Sequence, residues 1–124
     1  MSNISFPKIK SEVFFNKETR FDFLIEKNKQ KIFVEVKNVT LFRDKFTAEF
    51  PDAVTDRGSK HINELIEAAK KGYKSYILFV VQRNDCKYFK IASDIDVKYS
   101  KLIKEAVKKK INIRYQKNKK NNLI

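Results

Sequence analysis

Six consecutive apolar residues, Tyr76 to Val81 (YILFVV), constrain the fold of this chain more than any other feature. A run of strand length with no polar break is what a central strand needs when both faces of its sheet are covered. That run predicts a layered α/β architecture. Around it the sequence supplies the other layers. Phe21, Phe23 and Ile25 alternate with Asp22, Leu24 and Glu26, the two-residue period of a strand, and Ile32 to Leu41 is a longer β-branched run. Between them EKNKQK reads as a turn centred on Asn28 and Lys29. Glu12 to Phe15 reads as an earlier strand, joined through NKET, so three antiparallel strands follow one another as a meander.

From Phe42 to Ser59 the periodicity breaks into a loop holding Pro51 and Gly58. Ile62, Leu65, Ile66 and Ala69 then recur at helical spacing, and Gly72 is placed to end that helix before the apolar strand. Asp96 reads as the N-cap of a second helix whose inner face is Tyr99, Leu102, Ile103, Ala106 and Val107. A short strand at Ile111, Ile113 and Tyr115 follows. The expected fold is α/β, a mixed β-sheet flanked by helices, with one domain over residues 1–115 and a basic flexible tail over 116–124 (QKNKKNNLI).

Charge and composition narrow the partners. The chain has 124 residues and a formal net charge of +13, which calls for a polyanion such as nucleic acid or an acidic membrane surface. Residues 98–124 carry ten Lys or Arg against the single acid Glu105, so the basic excess is concentrated at that end. Lys accounts for most of the basic residues, and a compositional bias toward Lys produces the same excess without any partner. No apolar run approaches the roughly 20 residues that cross a bilayer, and the first ten residues lack the apolar stretch of a signal peptide, so a cytoplasmic protein is expected. Cys86 is the only cysteine and His61 the only histidine. Disulfides and thiolate or histidine-rich zinc sites are therefore excluded, and any metal must be held mainly by oxygen.

One strand carries the chemistry. The pattern acidic-x-Lys occurs at Glu35–Lys37, Asp85–Lys87 and Asp96–Lys98, but only Glu35 and Lys37 sit inside a strongly apolar strand, where a spacing of two puts them on one face. A turn centred between Asn28 and Lys29 places Asp22 directly opposite Glu35. Two carboxylates facing each other across a strand pair repel, and a hard cation such as Mg²⁺ or Mn²⁺ relieves the repulsion. Asp22 and Glu35 as metal ligands, with Lys37 neutralising charge or orienting water, have the form of a phosphodiester-hydrolysing site. Spacing alone is equally met by a solvated surface cluster in which Lys37 bridges two exposed acids. Arg57, Lys60 and His61 at the helix start are candidate phosphate contacts. Gln82, at the end of the apolar strand, is a candidate contact to a bound water or phosphate, and Lys117, Lys119 and Lys120 are candidate contacts from the tail. Glu12 is expected out of line with Asp22, Asp52 as a turn residue or a member of the acidic face, and Cys86 as inert.

The acidic residue, the Glu-x-Lys hairpin and the helix and buried strand that follow resemble the PD-(D/E)xK nuclease superfamily. More closely, RFDFLIE (20–26), VEVKNVTL (34–41), FPDAVTDRGSKHINEL (50–65) and FVVQRNDC (79–86) resemble the C-terminal domain of the sugar fermentation stimulation protein family. The resemblance implies a restriction-endonuclease-like core, DNA as the partner, and either Mg²⁺-dependent nuclease activity or a non-catalytic, sequence-nonspecific regulatory role in sugar (maltose) metabolism. It also implies an OB-fold-like domain preceding this one in family members, whereas the present chain starts close to its first strand.

Overall fold

The computed structural model describes residues 6–117. Its main sheet has five strands: β1 (Lys8–Phe14), β2 (Arg20–Lys27), β3 (Gln30–Val39), β6 (Lys74–Val81) and β8 (Asn112–Lys117), in the spatial order β1-β2-β3-β6-β8. The first three form the expected antiparallel meander, and β3, β6 and β8 run parallel. The β2–β3 turn is centred where the sequence put it. Asn28 and Lys29 both have positive φ, as a two-residue type I′ hairpin requires, and Lys27 pairs with Gln30 on either side.

Helices α1 (Asp56–Lys70) and α2 (Val97–Lys108) lie against one face of this sheet. Both begin as the sequence predicts or nearly so. Thr55 Oγ1 accepts from the Gly58 N–H (2.9 Å) and Asp96 Oδ1 accepts from the Tyr99 N–H (2.9 Å). Asp96 also accepts from the Thr55 N–H through Oδ2 (2.9 Å), so one buried carboxylate ties the starts of the two helices together. Gly58 permits their close approach: a Cβ there would stand 2.8 Å from Thr55 Cγ2 and 3.0 Å from the Tyr99 ring. Gly72, at φ +96°, ends α1 as expected.

Three expectations are corrected. The stretch 42–59 is not a plain loop, because β4 (Leu41–Asp44) and β5 (Thr47–Phe50) form a hairpin there, and β5 pairs in parallel with β7 (Tyr88–Ile91) as a second, three-stranded sheet. Phe50 and Phe89 of that sheet pack on Phe79 of β6, at centroid distances of 5.3 and 4.9 Å. The run 32–41 accordingly splits at Thr40 into β3 and β4. Second, β6 is covered on one face only. Ser75, Ile77, Phe79 and Val81 are buried, while Tyr76, Leu78 and Val80 are half-buried on the side where Ile25, Ile32 and Val34 form an apolar groove. Third, Val107 is 57% exposed, and Ser100 takes an inner position of α2 in its place. Strand β8 continues to Lys117, past the expected domain end at Tyr115, and no helix among the described residues is long and apolar enough to cross a membrane.

Candidate metal and phosphodiester site

The β2–β3 ladder places Phe23 opposite Val34 and ends there, so Asp22 stands at the level of Glu35. Beyond that pair the side chains replace the backbone ladder. The Asp22 N–H donates to Glu35 Oε1 (3.2 Å) and the Val36 N–H donates to Asp22 Oδ2 (2.7 Å). The cause is β3 itself, which stays paired with β6 through to Val39 and leaves β2, opening a seam that the two carboxylates fill. A surface charge cluster is excluded, since Glu35 is only 3% exposed.

Glu35 Oε2 is the centre of the site. Lys37 Nζ lies 3.4 Å from it and His61 Nδ1 2.5 Å from it, His61 reaching across from α1. At 2.5 Å a proton lies between nitrogen and carboxylate, so Nδ1 donates to Glu35 and has no lone pair left for Lys37 Nζ, 3.0 Å away. Lysine and histidine therefore compete for one oxygen. Burial works against ionisation of Glu35, but the His61 hydrogen bond and the Lys37 charge outweigh it and hold this carboxyl below its ordinary value. Asp22 goes the other way. Burial raises its carboxyl, the Val36 N–H opposes the rise, and the Glu35 charge adds to it. The two adjoining carboxyls are thus pushed in opposite directions by burial and by their different partners.

The donors suit a hard divalent cation. The Asp22 and Glu35 carboxyls hydrogen-bond each other, each also accepts from a backbone N–H, and the sequence offers no second imidazole. The described residues contain no group of three His, Cys, Asp or Glu placed to hold a metal, so water or phosphate oxygens must complete any such coordination.

The other expected residues divide. His61 joins the site directly, and with Arg57 and Lys60 it lines a cleft beside it. Gln82 does not face Glu35 or Lys37. Its amide donates to Asn38 Oδ1 (2.9 Å), and Asn38 alternates with Lys37 onto the opposite side of β3. Glu12 sits between Ser11, paired with Phe23, and Val13, paired with Phe21, and is thus level with Asp22, contrary to expectation; it is exposed, with φ +53°. Asp52 is exposed, and burial pushes the Cys86 thiol up, in keeping with an inert cysteine. Lys117 closes β8 opposite Val81, whereas Lys119 and Lys120 lie outside the described residues.

Sequence reasoning missed two features. Tyr99 is fully buried near Glu35, and its hydroxyl has no hydrogen-bond partner among the described residues. Arg43 of β4 makes a two-bond contact with the buried Glu49 of β5 (2.6 and 2.9 Å) and another with Asp94 (2.6 and 2.9 Å). The guanidinium holds the Glu49 carboxyl below its ordinary value and that of Asp94 at about 2. No local pattern marks either, because both depend on the second sheet and α2 folding together.

Comparison with known proteins points to one family. The family model described as sugar fermentation stimulation protein RE domain matches residues 2–121. A sugar fermentation stimulation protein homolog of Pelagibacter ubique is 76% identical over 91 residues, 73% of this chain and 39% of that protein. One from Bdellovibrio bacteriovorus is 44% identical over 111 residues, 88% of this chain and 45% of that protein. The solved structure of Pyrococcus furiosus SfsA in complex with Ca²⁺ matches with a TM-score of 0.82 and 37% identity, over 90% of this chain and 48% of that one. The chain thus spans less than half the length of these relatives.

Proposed function

The chain belongs to the sugar fermentation stimulation protein family, and from that membership we propose that Asp22 and Glu35 bind a divalent cation, Mg²⁺ or Mn²⁺, and with Lys37 hydrolyse phosphodiester bonds in DNA. The observation that carries this reading is the pair of carboxylates meeting in the β2–β3 seam with Lys37 beside them. The Pyrococcus furiosus relative was solved with Ca²⁺, another hard cation with a preference for oxygen. A bound divalent cation lowers the pKa of its water and stabilises charge on the scissile phosphate. The residues of the chain do the rest. Asp22 and Glu35 supply oxygen ligands, and the half-released Lys37, whose claim on Glu35 His61 contests, is within reach to orient water or offset phosphate charge. Arg57 and Lys60, at the start of α1, hold the backbone of the nucleic acid.

A second reading has its own support. Both oxygens of Glu35 already have partners within the protein, an arrangement that suits a DNA-binding regulator which keeps the fold without the reaction. Incubating single-stranded, duplex and branched DNA with the protein in Mg²⁺, in Mn²⁺ and in chelator decides between them. Cleavage that requires metal and is lost in Glu35→Gln and in Lys37→Ala, with DNA affinity largely kept, is the expected result. Binding without cleavage in any metal would leave the regulator reading. Normal cutting by Lys37→Ala would remove the lysine from the site.

A further inference from the structure

Beside the carboxylates, Phe14, Thr19 and Arg20 face Arg57, Lys60 and His61 across a cleft of about 290 Å³. Its walls are the end of β1, the start of β2 and the first two turns of α1, and it reaches the site through His61, whose Nδ1 is held by Glu35. Three of its groups are permanent cations. The Glu18 carboxylate, 3.6 Å from Lys60, offsets part of that charge, but both side chains are solvent-exposed and free to separate. An anion is the ligand this charge selects.

Phe14 supplies an independent pointer. It is 63% exposed at the mouth of the cleft, with the Arg20 guanidinium 5.5 Å from its ring centroid. An exposed ring beside a phosphate-sized cationic cleft matches a nucleotide whose base is free to stack, and bases inside a duplex are not.

Resting on the nucleic-acid reading, we propose that this cleft takes one unpaired nucleotide, its phosphate among Arg20, Arg57 and Lys60 and its base on Phe14. Nucleic acid with an unpaired segment next to the carboxylates is then the preferred substrate. The test is fluorescence anisotropy in chelator, so that no cleavage occurs, with fluorescein-labelled oligothymidylate and a blunt duplex as probes and a thermal melt of every variant. Phe14→Ala, a change at an exposed position, should weaken oligothymidylate binding at least about fivefold and leave the duplex within about twofold. Arg57→Gln should weaken it about tenfold, the loss of a hydrogen bond to a charged group. Unchanged oligothymidylate affinity in both would overturn the proposal. Equal losses on both probes in Phe14→Ala would overturn the requirement for an unpaired base. An unmodified protein that binds neither probe would instead sink the nucleic-acid reading itself.

Discussion

Tyr99 and Thr19 are the two buried residues whose hydroxyls find no hydrogen-bond partner among the described residues, and Tyr99 is the larger. Its ring is fully buried against Phe50 (5.5 Å) and beside Gly58, and its hydroxyl, without a hydrogen-bond partner, is held protonated by burial and by the charges of Glu35 and Asp96. Tyr99→Phe removes a stranded polar atom and breaks no bond, so it should stabilise the protein by up to about 1–3 kcal/mol, read from urea unfolding. A loss of more than about 1 kcal/mol would mean that the hydroxyl has a partner of its own. Tyr99 was legible only as an apolar position of a helix. The carboxylates were legible further, because a two-residue turn fixes register and register put Asp22 opposite Glu35. His61 was not, since its contact with Glu35 depends on how α1 crosses β3 and no spacing along the chain encodes that crossing. Glu12 was misplaced for a related reason. The turn closes one residue shorter than the four-residue NKET turn assumed, the Phe15 N–H donating to the Thr19 carbonyl, and that shift brings Glu12 level with Asp22.

Both helices end in the same motif with different residues. After α1, the Tyr73 N–H donates to the Ala68 carbonyl (3.1 Å) around Gly72 at φ +96°; after α2, the Ile111 N–H donates to the Ala106 carbonyl (3.0 Å) around Lys110 at φ +67°. Glycine adopts this left-handed conformation without a steric penalty and lysine does not. Lys110→Gly should therefore stabilise the domain by about 0.5–1 kcal/mol and Gly72→Ala destabilise it by about 1 kcal/mol, both measured as shifts in the denaturation midpoint. Apart from its chain neighbours, no described residue comes within 4 Å of a Cβ built on Gly72, so its change isolates the backbone effect. Gly72 and Asp96 announced their helix ends in the sequence because glycine and aspartate are specific to those positions. Lys110 gave no such signal. Strands β4, β5 and β7 were hidden for another reason: each has four residues, too few for a two-residue period to stand out, and Pro51 directly after β5 reads as a loop.

Across the whole molecule, charge was legible and coverage was not. The apolar residues of Tyr76–Val81 point to both faces of the sheet, yet the helices cover one, and the sequence of a strand does not say what lies over it. The charge raises a question of place. Most of the net +13 falls in residues 98–124, whereas the cationic cleft next to the carboxylates is built from Arg20, Arg57 and Lys60. Removing residues 118–124 takes away Lys119 and Lys120 and leaves β8 whole through Lys117, which keeps its place opposite Val81. If both lysines displace condensed counterions on duplex DNA, the slope of log affinity against log salt should become shallower by up to about 1.8, at about 0.9 per phosphate contact. The loss should be alike for all DNA sequences, because lysine on phosphate reads no base edge. The alternative is that the folded surface alone engages the backbone. Then truncation leaves the slope as it was, and Arg57→Gln and Lys60→Gln in the full chain each lower it by about 0.9 instead. Titrations at four or five salt concentrations on the whole chain, the shortened chain and the two variants separate these outcomes, since the slope counts phosphate contacts whatever the absolute affinity.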